Sequence, residues 1–376
     1  MANTLTGLIP VLYQAIDRVS RELTGLIAAV QMNADAEQAA VGQSIKYPVA
    51  PASAAADITP ATTAPDTGDQ TIAPETMTIS KARAVPVRWT GEEVVSVGSL
   101  HAGILTDQFS QAMRTLANEV ETDLAALYVA ASRAYGTAGS VPFGTAGDYT
   151  DASYVRKILV DNGAPTSDLQ LVVNTMAGAN FRGKQAQAAM AGTDSMQRRG
   201  VLLDMHDFSI RESAQIKSHT KGDGTSYVTN GETAVGVEDI ALVTGSGTVL
   251  AGDVVTFAAD TDNKYLVTTG VAAPGTISLA DPGALVTIAT ANALTVGGSY
   301  TANMAFSKSA IHLITRTPAM PEGGDMADDV INITDPISGL TFQVALYREY
   351  RRVKYEIGLA WGVKAVKPAH MALLLG

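Results

Sequence analysis

The chain contains no cysteine, which removes disulfides, thiolate nucleophiles and zinc-thiolate sites and suits a reducing compartment. Aromatic residues make up only 6% of 376 residues, while 34 are glycine, so the cores must pack with small side chains. Positive charge is also short: 26 Lys and Arg against 37 Asp and Glu leave a formal net charge of −11. A nucleic-acid surface needs clustered cations. Only Arg198–Arg199 and Arg348 with Arg351 and Arg352 are dense, and they are read as solvated or inter-subunit faces. No unbroken apolar run reaches the roughly 18 residues of a membrane span, and the N-terminus lacks a basic region followed by a small-residue cleavage site. A soluble, untargeted chain is expected.

Catalytic patterns are missing too. His101, His206, His219, His312 and His370 show no paired metal spacing. Asp260-Thr-Asp262-Asn lacks the later ligands of a calcium loop and reads as a turn. Asp325, Asp328 and Asp329 read as a solvated loop, with a cation held between subunits as the lesser option. Gly245-Ser-Gly247 lacks the spacing of a nucleophile elbow. Gly178 to Lys184 matches a phosphate-binding loop up to the last position, where Gln185 replaces the hydroxyl that would hold Mg²⁺; a loop entering a helix is the preferred reading. No enzyme, cofactor or metal is expected.

What is present is organised around Leu105 to Tyr135. Leu105, Phe109, Ala112, Met113, Leu116, Val120, Leu124, Leu127, Tyr128 and Ala131 recur at helical spacing. Gln108, Gln111, Arg114, Thr115, Asn118, Glu121 and Thr122 form the opposite, polar face. Thr106 is placed as the N-cap and Gly136 as the residue after the helix. At about 1.5 Å per residue the helix would run roughly 45 Å, a spine for packed sheet, with Thr341–Leu346 and Tyr355–Val363 as that sheet.

Before the spine, Pro10 to Met32 predicts an amphipathic helix with a seam at Leu12, Ile16, Val19, Leu23, Leu26 and Val30, released from the body by the polar stretch to Gly42. Ile45–Val49 and the alternating Thr76–Trp89 predict two long strands of an arm-like hairpin. Its tip, Pro51 to Pro74, is too poor in apolar surface to hold itself rigid. An isolated hairpin is marginal in water, so support must come from outside it. After the spine, helices are expected at Tyr154–Asp161 and Ala177–Ala191, and strands at Leu169–Asn174, Phe208–Glu212 and Gln215–Ser218. Gly222 to Gly298 then shows short strands at Ile240–Thr244, Val254–Ala258, Tyr265–Thr269, Thr276–Leu279 and Leu285–Ala289, the spacing of a small antiparallel barrel. Ile311–Thr315, Thr341–Leu346 and Tyr355–Val363 complete an α+β chain.

This order of parts resembles the major capsid (coat) proteins of tailed bacteriophages, which share the Hong Kong phage capsid fold, and most of all the short-tailed-phage branch with an inserted β domain. Asn303-Met-Ala-Phe306 through Arg316 resembles the strand after the insertion. Gly339–Val344 with Tyr355–Pro368 resembles the closing segment, and Val172–Thr175 with Phe181-Arg-Gly resembles the axial strand and helix. The resemblance implies six parts: an N-terminal arm (1–43), an extended loop (44–97), a peripheral domain with the spine (98–150), an axial domain (151–220), an inserted β-barrel (221–300) and return strands (301–376). It implies self-assembly as pentamers and hexamers into an icosahedral virion shell around double-stranded DNA, formed in the bacterial host cytoplasm. Subunit contacts would fall on Leu12, Ile16, Val19, Leu23, Ile45, Tyr47, Ile79 and Trp89. With only about 40 residues ahead of the extended loop, a separate scaffolding protein is implied, together with a portal protein and an optional decoration protein, and no membrane. An acidic shell suits packed DNA, because attraction to the wall would hinder packing and ejection. The alternatives are the shell of a cellular nanocompartment and, more remotely, a nucleotide-binding enzyme.

Overall fold

Apolar spacing places helices where expected, but the strands that flank them are set by backbone pairing that spacing alone does not report. The computed structural model describes residues 9–20, 25–48, 57–58, 60, 74–145, 149–187, 206–335 and 338–376. The chain begins with α1 (Ile9–Ser20) and the single turn α2 (Leu26–Ala29). The polar stretch after them is not a release segment. It forms β1 (Gln31–Ala39), which pairs in parallel with a strand of the C-terminal third. Most of its described side chains face solvent, so backbone hydrogen bonds along one edge hold it, and no apolar alternation marks it in the sequence.

The hairpin follows: β2 (Ser44–Pro48) and β3 (Pro74–Thr78) pair antiparallel, and β4 (Lys81–Thr90) continues into the body. Most of the Pro51–Pro74 tip lies outside the described residues. α3 (Gly91–Val97) is opened by a capping box, with the Thr90 hydroxyl accepting from Glu93 N and the Glu93 carboxylate accepting from Thr90 N. The spine α4 (His101–Ala125) starts one turn before Leu105, through a 3-10 turn at Gly98–Leu100. Thr106 is therefore no cap; its hydroxyl donates to Ala102 O inside the helix. The α-helix also ends sooner than expected, in a 3-10 stretch at Ala126–Ala130, and Arg133–Tyr135 is β5.

Next come α5 (Thr150–Asp161), the fully buried β6 (Leu169–Val173), α6 (Thr175–Gln187), β7 (Phe208–Glu212) and β8 (Ser218–His219). Residues 188–191 of the expected helix lie outside the described residues. Six short strands follow: β9 (Val228–Thr229), β10 (Asp239–Val243), β11 (Val254–Phe257), β12 (Asp260–Thr269), β13 (Thr276–Leu279) and β14 (Leu294–Val296). Leu285–Ala289 is not among them. Ile288 is buried there and makes one bridge to Thr233, so its apolar character reports burial and not a ladder. The chain closes with β15 (Tyr300–Ser307), β16 (Ile311–Pro318), β17 (Asp329–Thr334), β18 (Thr341–Glu349), β19 (Arg352–Ala365) and β20 (Met371–Leu375).

Two sheets sit on the spine and beyond its end. In the first, β19 is the axis: β4 runs along one edge, while the other edge pairs with β18 up to Gly358 and with β16 from Ala360. β17 and β1 are the outer strands. The apolar stripe of α4 meets this sheet as expected: Leu116, Val120 and Leu124 are buried in one core with Ile357, Leu359 and Trp361. The second sheet has the order β7-β6-β15-β20-β5 and continues into β12. β12 then joins a ring, since β9, β10, β13, β12, β11 and β14 pair in succession. Val228 bridges Ala293 beside β14, and Leu294 N donates to Tyr227 O, which closes the ring. Tyr227, Ile240, Leu242, Val255, Phe257, Tyr265, Val267 and Ile277 fill it as a separate core.

Candidate assembly surfaces

The spine's polar face is less uniform than its spacing suggests. Glu121, placed on that face by the sequence, is buried, with its carboxylate accepting from Ile27 N at 2.9 Å and from the Ser213 hydroxyl at 2.7 Å. It serves as the N-terminal cap of α2, whose own residues supply no side-chain cap. Two residues on, Asp123 accepts from Trp361 Nε1 at 2.9 Å and pairs with Lys81 at 2.7 Å, tying the spine to β19 and to the start of β4.

That start of β4 is the root of the hairpin. Ser80 N donates to Trp361 O, Ile79 N to Gln43 O and Gly42 N to Ile79 O. Beneath lies a satellite core of Ala39, Met77, Ile79, Ile314 and Ala360, with Ile45 packed against it. At Gly362 the crossing is so close that a Cβ would stand 2.1 Å from Thr78 O, so only glycine fits. Further out, Lys364 Nζ reaches the Glu75 carboxylate at 2.5 Å. Between the root and that pair β2 and β3 carry Ser44, Lys46, Thr76 and Thr78 exposed to solvent. A two-stranded ribbon of this kind does not sustain itself.

The ring of β9–β14 is attached differently. At its base His219 Nε2 lies 2.8 Å from Asp253 Oδ1, its Nδ1 is 2.9 Å from the Tyr128 hydroxyl, and Tyr300 donates to Gly252 O at 2.6 Å. Asp253 is fully buried and also accepts from Gly222 N and Leu250 N. Arg133, within the Leu105–Tyr135 stretch read as helix, is a buried strand residue that donates to Asn263 Oδ1 at 3.0 Å and Asn162 Oδ1 at 2.8 Å. Burial lowers its pKa, and Asp161, Tyr265 and Asp260 oppose that shift. Asp260-Thr-Asp262-Asn is not the expected turn but the start of β12; Asp260 accepts from the Tyr265 hydroxyl at 2.5 Å, and the phenol's pKa is pushed well above its usual range, chiefly by burial.

Among the eight residues the sequence offers for subunit contact, Leu12 and Ile16 are buried against the same chain's spine, and Ile79 is buried in the satellite core. Those side chains are spent within the chain. Ile45 is half-buried at the hairpin root, and Trp89 is half-buried with its Nε1 donating to Gln108 Oε1. Val19 lies in α1 and Tyr47 in β2, with no side-chain position described; Leu23 lies outside the described residues. Gly178 to Lys184 is helical throughout, so its backbone N–H groups cannot cradle phosphate. Lys184 is buried with its ammonium over the Phe143 and Tyr149 rings. Among the described residues no cluster could hold a metal ion, and no helix is long and apolar enough to cross a membrane.

One surface the sequence did not single out as a whole is a groove of about 910 Å³ beside the β18–β19 turn, lined by Trp89, Val94, His101, Tyr355 and the segment Arg348 to Val353. Next to it Val95, Leu100 and Tyr350 are exposed, and α3 has no buried residue. Its sequence signal is the arginine cluster read as a solvated or inter-subunit face.

No protein-family model and no curated protein matches the sequence. Solved structures similar over nearly the whole chain include one titled Mycobacterium phage Che8, at 14% identity and a TM-score of 0.44, covering 93% of this chain and 90% of that one. Another is the capsid structure of the cyanophage P-SCSP1u, at 10% identity and a TM-score of 0.48, covering 93% and 88%. A third is a virus-like particle from Pyrococcus furiosus, at 8% identity and a TM-score of 0.43, covering 97% and 98%.

Proposed function

We propose that this chain is the major capsid protein of a tailed bacteriophage, a non-enzymatic subunit that assembles as pentamers and hexamers into an icosahedral shell enclosing double-stranded DNA. The observation that supports it best is the hairpin of β2 and β3. Its root carries a dedicated satellite core, a glycine crossing and an ion pair, while the side chains described on β2 and β3, Met77 and the half-buried Ile45 apart, are exposed. A rigid root under a ribbon that cannot stand alone is how a subunit offers an element to its neighbour. The spine packed on the first sheet supplies the peripheral domain, the second sheet the axial domain, and the β9–β14 ring the inserted domain of the short-tailed-phage branch. A separate scaffolding protein, a portal and an optional decoration protein complete the assembly, located in the virion and built in the host cytoplasm. The test is electron microscopy of the purified protein with and without co-expressed scaffold. Closed icosahedral shells are expected; small discrete oligomers would refute the reading, and shells that retain enzyme cargo in place of DNA would favour a nanocompartment.

A further inference from the structure

We infer that the groove beside the β18–β19 turn receives the acidic loop Glu322–Asp329 of a second copy, making a head-to-tail contact between subunits; this rests on the shell reading above. The groove combines apolar walls (Trp89, Val94, Val353 and Tyr355) with Arg348, Arg351 and Arg352 at its rim. Arg352 pairs with Glu349 and Arg348 with Asp328 of the same chain, whereas the guanidinium of Arg351 lies against the Tyr350 ring. The loop is its complement. Glu322, Asp325, Asp328 and Asp329 stand around Met326 with no cation between them, and Met326 is 91% exposed. A methionine held out among carboxylates suits an apolar slot rimmed by arginines, since the flexible thioether adapts to irregular pockets and rim charges set register and partner choice.

The strand pleat favours another copy as the occupant. Successive side chains of β19 alternate between faces. Tyr355 packs edge-on against Phe109 of the spine, on the groove's face. Glu356 and Gly358, with Tyr347, line the cleft on the opposite face, where Asp325 accepts from the Tyr347 hydroxyl at 2.7 Å. That hydrogen bond holds the Asp325 carboxyl below its usual pKa and keeps Asp325 on the far face, while Asp328 of the same loop reaches Arg348 at the groove's rim. Two different patches on two faces make a heterologous contact, which closes a ring when the rotation permits.

The absence of cysteine gives a clean test. Two single-cysteine variants, Met326→Cys and Val94→Cys, are co-assembled in equal amounts, and shells are oxidised or treated with a short bis-maleimide. Shells are expected to yield a cross-linked dimer containing one of each subunit, lost when Arg351→Glu is added to the Val94→Cys chain and regained when Glu322→Lys is added to the other. The control pair Met326→Cys with Val235→Cys, the latter exposed on the β9–β14 ring, should give no dimer. Intact shells without the Met326–Val94 cross-link would overturn this contact and leave the shell reading standing. Failure of the parent chain to form shells under any condition would overturn both.

Discussion

Two all-β parts leave the body of this molecule, and they are stabilised in opposite ways. The β9–β14 ring closes on itself and fills its interior with at least eight large buried side chains, including Phe257 and Tyr265 at a centroid separation of 5.8 Å. Among the described residues, the satellite core at the root of the β2–β3 hairpin holds five buried residues, and three of them, Ala39, Ile314 and Ala360, belong to neighbouring strands. The ring pairs its own edges, whereas the hairpin presents two unpaired ones, the arrangement that invites another chain. One part is finished within the chain, and on the proposed reading the other is finished by a neighbour.

The sharpest way to break this contrast is to damage the ring. Phe257→Ala should cost about 3–5 kcal/mol, the range for a buried aromatic truncated to alanine, and should unfold the ring cooperatively in urea. Met77→Ala under the hairpin should leave the denaturation midpoint of the body nearly unchanged. The spine serves as a reference between the two: Leu116→Ala should cost about 2–5 kcal/mol and give temperature-sensitive, aggregating subunits, while Asn118→Ala should alter soluble yield little.

A smaller effect on stability, with a larger one on assembly, is expected at the hairpin crossing. Gly362→Ala sets a methyl against the Thr78 carbonyl, where the clash is with backbone and no side chain can yield. The cost should be at least about 1–3 kcal/mol, taken up by displacement of the hairpin. Folded subunits that no longer form shells are expected by circular dichroism and electron microscopy.

The hinge at this crossing was not legible in the sequence, and the reason is general. The alternation of Thr76–Trp89 and the stripe of α4 are written in side chains, so hairpin and spine could be read directly. Gly362, β1 and Arg133 are specified by what lies across from them, namely Thr78 O, the edge of β16, and Asn162 with Asn263. Glu121 was misplaced for the same reason: its partners Ile27 N and Ser213 come from segments 94 and 92 residues away. The arginines at 348, 351 and 352 could be seen as a cluster, but the apolar walls between them come from β4 and α3.

The smallest effect concerns pH. His312 lies beside the hairpin root, with Ile45, Lys46 and Met77 along the same small cleft. Burial lowers its pKa from 6.5, opposed by its hydrogen bond to Ser309 O. The unfolded chain therefore binds the proton more readily, so stability is lost as the pH falls below about 6.5. His370 shifts in the same direction, through burial and Lys367, opposed by Asp281. His312→Gln should flatten part of the acid limb of the thermal midpoint against pH, and an unchanged limb would assign it to other groups.

Amide hydrogen exchange, compared between free subunits and assembled shells, tests the contrast most directly. The amides of Lys46, Tyr47, Glu75 and Thr76 should exchange rapidly in free subunits and at least about 100-fold more slowly in shells, while those of Val255, Tyr265 and Ile277 in the ring should be equally protected in both. A hairpin as well protected in the free subunit as in the shell would contradict the account, because it would then be complete without a neighbour.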